Sequence, residues 1–207
     1  MPDNMMKNNA YNRFMTGVFD LAEVSVLTLI CCIPVLTAGA AITAACAMFM
    51  KMAENREGTI CKEYFRQFRG NLRESLGGWI LNLAVVCIIL TDLYLTRENA
   101  LQYGLILSLA GAAGAYLCWY FCLRARFSES TFSAVVNTLK FTAAFFPVSL
   151  VCGAYFLLAA AVMLRYTAAR VLFPVLGIAA LFYIPSLLLG RKINAYVEDK
   201  GLMRKNG

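Results

Sequence analysis

The sequence predicts an all-α, polytopic membrane protein that forms a single domain over residues 1–207. Hydrophobic residues make up 60% of the chain, against roughly 45–50% in soluble domains, and charged residues only 15%, against roughly 25%. So few charges cannot cover the surface of a soluble domain. Apolar runs also alternate with polar connectors, as in a protein that crosses a membrane several times. The six predicted membrane helices cover residues 18–33, 38–53, 76–96, 103–123, 145–164 and 171–189.

The first two helices are joined by a hinge (residues 34–39) of the form Pro-x-x-Thr-x-Gly. Pro34 ends the first helix because it lacks an N–H group, Thr37 can cap the second helix, and Gly39 allows two backbones to approach closely. Each helix is only about 24 Å long at 1.5 Å per residue, less than a hydrocarbon core of about 30 Å. The hairpin therefore either spans a locally thinned bilayer or re-enters it without crossing, and both alternatives stay open.

Two polar connectors are predicted to form amphipathic helices in the cytoplasmic interface, over residues 59–75 and 129–142. In the first, aromatic and apolar residues recur at helical spacing with arginines between them, a pattern typical of helices that lie on a membrane surface. Its candidate contacts with lipid or a partner are Tyr64, Phe65, Arg66, Phe68, Arg69 and Arg73.

The remaining helices are bounded by charged connectors and prolines. Residues 97–99 separate the third helix from the fourth, and residues 165–170 separate the fifth from the sixth. Pro147 lies in the first turn of the fifth helix, where proline is tolerated, and Pro185 lies near the end of the sixth.

The distribution of basic residues predicts a membrane protein with both termini in the cytoplasm. With six spans, 16 of the 19 Lys and Arg residues lie on the side of the termini, and only Arg97, Arg165 and Arg170 lie on the other. Basic residues accumulate on the cytoplasmic side of membrane proteins. The net charge of +7 therefore reflects orientation in the lipid bilayer, and we expect no nucleic-acid partner.

No motif for catalysis, metal binding or cofactor binding is present in the sequence. It contains no phosphate-binding P-loop and no nucleophile elbow, and it has no histidine to serve as a base or a metal ligand. The eight cysteines form no Cys-x-x-Cys pair, and seven of them lie in apolar runs, where we expect them to pack as small apolar residues. We therefore expect a non-enzymatic protein without metal or cofactor.

A few polar and small residues inside the predicted helices are candidate functional positions. Asp92 could hold a cation or proton, but pairing with one of the three arginines on its side is the favoured interpretation. We expect Asn82 to form an interhelical hydrogen bond. Gly111, Gly114 and Ala115 make a small-residue face that packs either inside the bundle or on a partner subunit.

Three stretches resemble the YesL-like family of small bacterial membrane proteins. They are residues 12–21, the hinge sequence CIPVLTAGA at 32–40, and EYFRQFRGN at 63–71. The resemblance is sharpest over residues 8–80. Members of this family carry a domain without a known function and are commonly encoded beside carbohydrate ABC uptake systems in Gram-positive bacteria. The resemblance implies a role in sugar import and brings no catalytic residues with it.

Three functions follow from these observations. The first is a non-enzymatic accessory subunit of a bacterial carbohydrate ABC importer, with permease subunits and a solute-binding protein as partners. The second is a small secondary transporter or channel that uses Asp92, Asn82 and the helix N-terminus at Thr37. The third is a membrane-bound regulator that acts through residues 51–75. The resemblance, the missing nucleotide loop and the lack of a polar path favour the first.

Overall fold

The computed structural model describes residues 3–53, 59–96, 98–127, 130–166 and 178–200. Within these ranges the chain is helical, without a β-strand, and the predicted all-α fold of a polytopic membrane protein is confirmed. A single 3₁₀ turn, Val35–Thr37, lies between the first two helices. The α-helices are α1 (Asp3–Cys31), α2 (Ala38–Ala53), α3 (Ile60–Leu95), α4 (Ala100–Arg126), α5 (Thr131–Ala144), α6 (Phe146–Arg165) and α7 (Ile178–Lys200).

Three segments of the described residues are long and apolar enough to cross a membrane: Val35–Ala53, Ser75–Leu95 and Ala100–Arg126. The pair formed by α5 and α6 adds a fourth if it is one bent span. The predicted count of six is therefore not confirmed. Residues 18–31 of the predicted first span lie in α1, which is not one of these candidates, and residues 171–177 of the predicted sixth lie outside the described residues.

The first amphipathic connector is not a separate interfacial helix. Its residues continue directly into the predicted third span, so that α3 is one helix of 36 residues, about 54 Å long. No proline interrupts it, and its internal glycines each cost only about 1 kcal/mol, which tertiary packing offsets. The predicted break between residues 59–75 and the third span is therefore not found, whereas their position in the membrane interface stays a prediction.

The second connector does form a separate helix, α5. The Ser130 hydroxyl accepts a hydrogen bond from the backbone N–H of Ser133 and caps its N-terminus. At its end, Phe145 leaves the helical conformation, and α6 then starts at an angle of 100° to α5. Such a right-angled pair is the geometry expected when a helix in the membrane surface precedes a span.

The centre of the protein is α2, which packs against α1, α3, α4 and α7. Nearly every residue from Ala38 to Met50 is buried. The first turn of α2 carries only small side chains, so neighbouring helices approach its backbone closely. The largest buried side chains around it are Tyr64, Trp119, Tyr120 and Phe121. This core belongs to one half of the molecule, whereas the apolar second half of α3 is mostly exposed.

Candidate functional site

The hinge is closed by the hydroxyl of Thr37. This hydroxyl lies 2.7 Å from the carbonyl oxygen of Cys31 and 2.8 Å from that of Pro34, and it donates to them. The Cys31 carbonyl belongs to the last turn of α1, where backbone acceptors lack partners within the helix. Thr37 therefore closes the end of α1, whereas the sequence predicted a cap for the start of α2.

The hinge is fixed to α3 by Trp79. The indole N–H of Trp79 donates to the carbonyl oxygen of Val35 over 2.7 Å. A Cβ atom at Gly39 would lie 2.6 Å from both Cβ and Cγ of Trp79, so only glycine fits where α2 begins. Sequence reasoning missed Trp79. The available signal was that it is one of only two tryptophans and stands next to two glycines at the start of an apolar run.

Two further elements meet α3 beside Trp79. A Cβ atom at Gly78 would overlap the hydroxyl of Tyr120 from α4, and a Cβ atom at Gly77 would lie 3.5 Å from the hydroxyl of Thr131 at the start of α5. We call Gly77, Gly78 and Trp79 the junction of α3. The hinge, α2, α4 and α5 all contact α3 at this point, which is also where its exposed surface changes from basic to apolar.

Two buried hydroxyl groups beside the junction, those of Tyr120 and Ser75, have no hydrogen-bond partner among the described residues. The ring of Tyr120 is well packed, with Tyr116 stacked on it at 6.2 Å between centroids. A buried polar atom without a partner costs about 1–3 kcal/mol, so the α3–α4 contact at this point is held by packing rather than by hydrogen bonds.

The basic end of α3 is tied to the end of α2 by Glu63. Its carboxylate pairs with Lys51 of α2 and also accepts hydrogen bonds from Arg66 at 2.8 Å and Gln67 at 3.4 Å. Partial burial acts to raise the pKa of Glu63. The hydrogen bonds from Lys51, Gln67 and Arg66 outweigh that burial and hold the pKa below its ordinary value. The Lys51–Glu63 pair fixes where α2 ends along α3.

Of the six predicted contact residues of the first connector, the five whose side chains the structure describes lie on two sides of α3. Tyr64 is fully buried and donates to the carbonyl oxygen of Ala41 over 3.3 Å, with the half-buried Phe68 stacked beside it. Burial also raises the pKa of Tyr64. These two aromatic residues therefore belong to the core and are not surface contacts.

The exposed members of the connector share one face of α3. Lys62, Phe65, Arg66 and Arg69 are exposed, and their spacing of three and four residues places them along one stripe. We call these four residues the basic face of α3. The side chain of Arg73 lies outside the described part of the structure.

The predicted intramembrane polar residues do not form a common site. The Asn82 side chain donates to the carbonyl oxygen of Gly78 in its own helix at 2.9 Å, and among the described residues no hydrogen bond joins it to another helix. Asp92 is exposed, and no ion pair joins it to the exposed Arg165 in the described residues. The other two arginines predicted as its partners lie outside those residues.

The small-residue face of α4 packs inside the protein. A Cβ atom at Gly111 would lie 2.8 Å from Leu157, and one at Gly114 would lie 2.9 Å from Phe156, both on α6. Ala115 is also buried there. Of the two alternatives that the sequence left open, the structure shows packing within the bundle, because α6 fills the space in front of this face.

Comparison with known proteins identifies similarity over one part of the chain. The family described as "Protein of unknown function, DUF624" matches residues 19–93. No curated protein and no solved structure matches the chain. The matched part contains the hinge, α2, the basic face and the junction of α3. Over residues 19–93, therefore, the chain is similar to a domain family of unknown function.

Proposed function

We propose that the protein is a non-enzymatic accessory subunit of a bacterial carbohydrate ABC importer in the cytoplasmic membrane, with both termini in the cytoplasm. The resemblance to YesL-like proteins suggests this role. The main observation that supports it is that the apolar second half of α3 is exposed. Only 17% of an 18-residue stretch of Ser75–Leu95 is buried within the protein, against 67% for Val35–Ala53. A long apolar helix surface is therefore free to pack on the membrane helices of a permease.

The interface lies on α3 because the small-residue faces are already occupied. Gly39 packs on Trp79 and Gly111 packs on α6, so neither can accept a permease helix. On α3, a stripe with heptad spacing is exposed along the whole apolar half. We call it the outer stripe, and it consists of Leu81, Val85, Ile88, Asp92 and Leu95.

Asp92 supports a protein partner at the outer stripe. It is the one acidic residue of the stripe, on a surface that otherwise suits lipid. A carboxylate that faces hydrocarbon is costly, and such residues usually face protein or water and pair with a basic group. We propose that Asp92 meets a basic residue of the permease near the outer end of α3. Neither Asp92 nor the internally bonded Asn82 lines a polar path, so no observation favours the transporter alternative.

Affinity purification from native membranes tests this function. The tagged protein is purified in mild detergent, and its partners are identified and quantified by mass spectrometry. Permease subunits and a solute-binding protein are expected in stoichiometric amounts. Val85→Trp combined with Ile88→Trp is expected to lower their recovery at least tenfold, because two indoles on the outer stripe prevent close packing. Leu105→Trp, at an exposed position of α4, is the matched control and retains the partners.

Two outcomes contradict the proposal. One is a purified species that contains no ABC subunit. The other is a deletion strain in which sugar uptake and the level of the transporter are both unchanged. Equal partner recovery from the outer-stripe variant and the control would show that the interface lies elsewhere on the protein.

A further inference from the structure

We infer that the hinge tip (Ile33, Pro34, Val35 and Leu36) binds the lipid leaflet at the basic end of α3 and does not cross to the opposite face. The α1–α2 hairpin would then be an anchor inserted from one side. This inference is independent of the sugar-import proposal, since it depends on the position of the hinge relative to the span of α3.

The position of α2 along α3 is fixed by contacts at both ends. At one end Lys51 pairs with Glu63. At the other end the hinge and Gly39 contact Trp79. Helix α2 therefore runs antiparallel to residues 63–79 of α3, a stretch of about 24 Å that matches the length of the 16-residue α2.

That stretch of α3 is its basic half. Lys62, Arg66 and Arg69 lie within it or directly beside it, and all three are exposed. If α2 crossed the hydrocarbon core next to this stretch, the three cations would be carried into lipid together. Such charges are costly in the core of a bilayer and favourable at an anionic surface. The neighbouring cations therefore place most of α2 outside the hydrocarbon core, on the basic side of the span of α3, although its own length and composition would allow a span.

The membrane crossing of α3 lies beyond the hinge. The candidate span starts at Ser75, so Trp79 is about one turn inside its basic end. From Trp79 to Leu95 the helix continues for about 24 Å without the hinge beside it. Tryptophan is enriched at the boundary between hydrocarbon and headgroups, which is the depth that this register gives to Trp79.

The hinge tip has the surface of a shallow lipid anchor. Ile33 is 78% exposed, Val35 57% and Leu36 58%, which is unusual for three apolar residues so close together in the chain. Because the basic face of α3 lies on the same side, the apolar tip can enter the leaflet while the cations bind anionic headgroups. Apolar insertion combined with basic charge is the usual composition of one-sided membrane anchors.

Cysteine labelling decides on which side of the membrane the tip lies. Intact cells, and then opened membranes, are treated with a membrane-impermeant maleimide. Mass spectrometry identifies each labelled cysteine separately, so the native cysteines need not be removed. Asn99→Cys reports the end of α3 opposite to the basic face, and the native, exposed Cys61 reports the basic side. We expect Asn99→Cys and Cys61 to react from opposite sides. Leu36→Cys is expected never to react from the Asn99 side, and reaction from that side overturns the inference.

Lipid contact is tested separately by fluorescence quenching. Leu36→Cys, in a background with serine at Cys61 and Cys87, is labelled with bimane and reconstituted into vesicles with 30% anionic lipid. A nitroxide placed high on the lipid chain is expected to quench the bimane at least twofold more than one near the chain end. Stronger quenching by the deep nitroxide, or none by either, contradicts the inference. Val35→Cys is a second reporter if Leu36→Cys does not fold.

Discussion

Gly39 leaves open the space that the side chain of Trp79 occupies, since a Cβ atom at Gly39 would lie 2.6 Å from Cβ and Cγ of the tryptophan. These are the first atoms of the Trp79 side chain and cannot turn away as the end of a flexible side chain can. Any residue larger than glycine at position 39 must therefore move α2 away from α3. The same tryptophan also holds the hinge through the Val35 carbonyl, so one side chain determines both the start of α2 and the position of the hinge.

The first prediction is that Gly39→Ala destabilises the protein. We expect a loss of about 1–3 kcal/mol, the range typical of overpacking, seen as a lower Tm in detergent. Gly70→Ala is the matched control, because a Cβ atom at Gly70 on the surface of α3 meets nothing within 4 Å. Alanine there is expected to raise the Tm slightly, since it favours helix by roughly 0.5–1 kcal/mol over glycine. Equal effects of the two substitutions would show that Gly39 is not closely packed.

The second prediction concerns the Thr37 hydroxyl. Thr37→Val keeps the shape of the side chain but removes the donor that serves Cys31 and Pro34. The expected loss of stability is about 1 kcal/mol, and Thr37→Ser, which keeps the hydroxyl, should lose less than half as much. Thermal unfolding in detergent measures both. Indistinguishable melting of the valine and serine variants would count against the hydrogen bonds.

The third prediction is that two tyrosine-to-phenylalanine substitutions change the stability of the protein in opposite directions. Tyr120→Phe removes a buried hydroxyl without a hydrogen-bond partner in the described structure and is expected to stabilise the protein by about 1 kcal/mol. Tyr64→Phe removes a hydroxyl that donates to Ala41 and should destabilise it by a similar amount. Both variants keep the ring in its buried position, so packing is matched. A lower Tm for Tyr120→Phe would mean that its hydroxyl has a partner.

The fourth prediction is a pH dependence that comes from Glu63. Its pKa lies below the ordinary 4.5 in the folded state. The unfolded chain therefore binds the proton more readily, and the contribution of Glu63 to stability is full above pH 4.5 and is lost as the pH falls below it. Glu63→Gln removes this contribution. The difference between wild type and Glu63→Gln is expected to be under about 1 kcal/mol near pH 7, since the pair is partly exposed, and to shrink as the pH falls below 4.5.

Unfolding both proteins between pH 3 and pH 7 in the same detergent checks this prediction. A difference that stays constant over the whole range would show that the Glu63 carboxylate does not act through its charge.

The sequence allowed the class of protein and several helix bounds to be predicted, because these depend on local signals. Composition indicated a membrane protein, and α2 begins and ends where the hinge and the next polar run predicted. The continuity of α3 could not be predicted in this way. Its change from basic to apolar surface looks like a boundary in the sequence, yet no proline ends the helix there, and the contacts of Gly77 and Gly78 with α4 and α5 favour a continuous helix.

Contacts distant in the chain account for the other differences. Trp79 binds Val35 across 44 residues, and no periodic pattern reports such a pair. Tyr64 and Phe65 look equivalent in the sequence, but one faces α2 and the other faces outward, because the orientation of α3 is set by its neighbours. The side-chain amide of Asn82 donates to the carbonyl oxygen four residues earlier in its own helix. This acceptor competes with any partner on another helix.

The burial of α2 has a consequence for synthesis of the protein. Three of the helices that cover α2, namely α3, α4 and α7, follow it in the chain, and α7 begins about 125 residues after α2 ends. At a translation rate of about 5–20 residues per second, roughly 6–25 s pass between the translation of α2 and that of the start of α7. During that time the apolar surface of α2 must be sheltered by lipid, by the insertion machinery or by a chaperone. The burial of α2 is therefore completed only when α7 arrives, and a chain truncated before α7 would expose the centre of the protein to degradation.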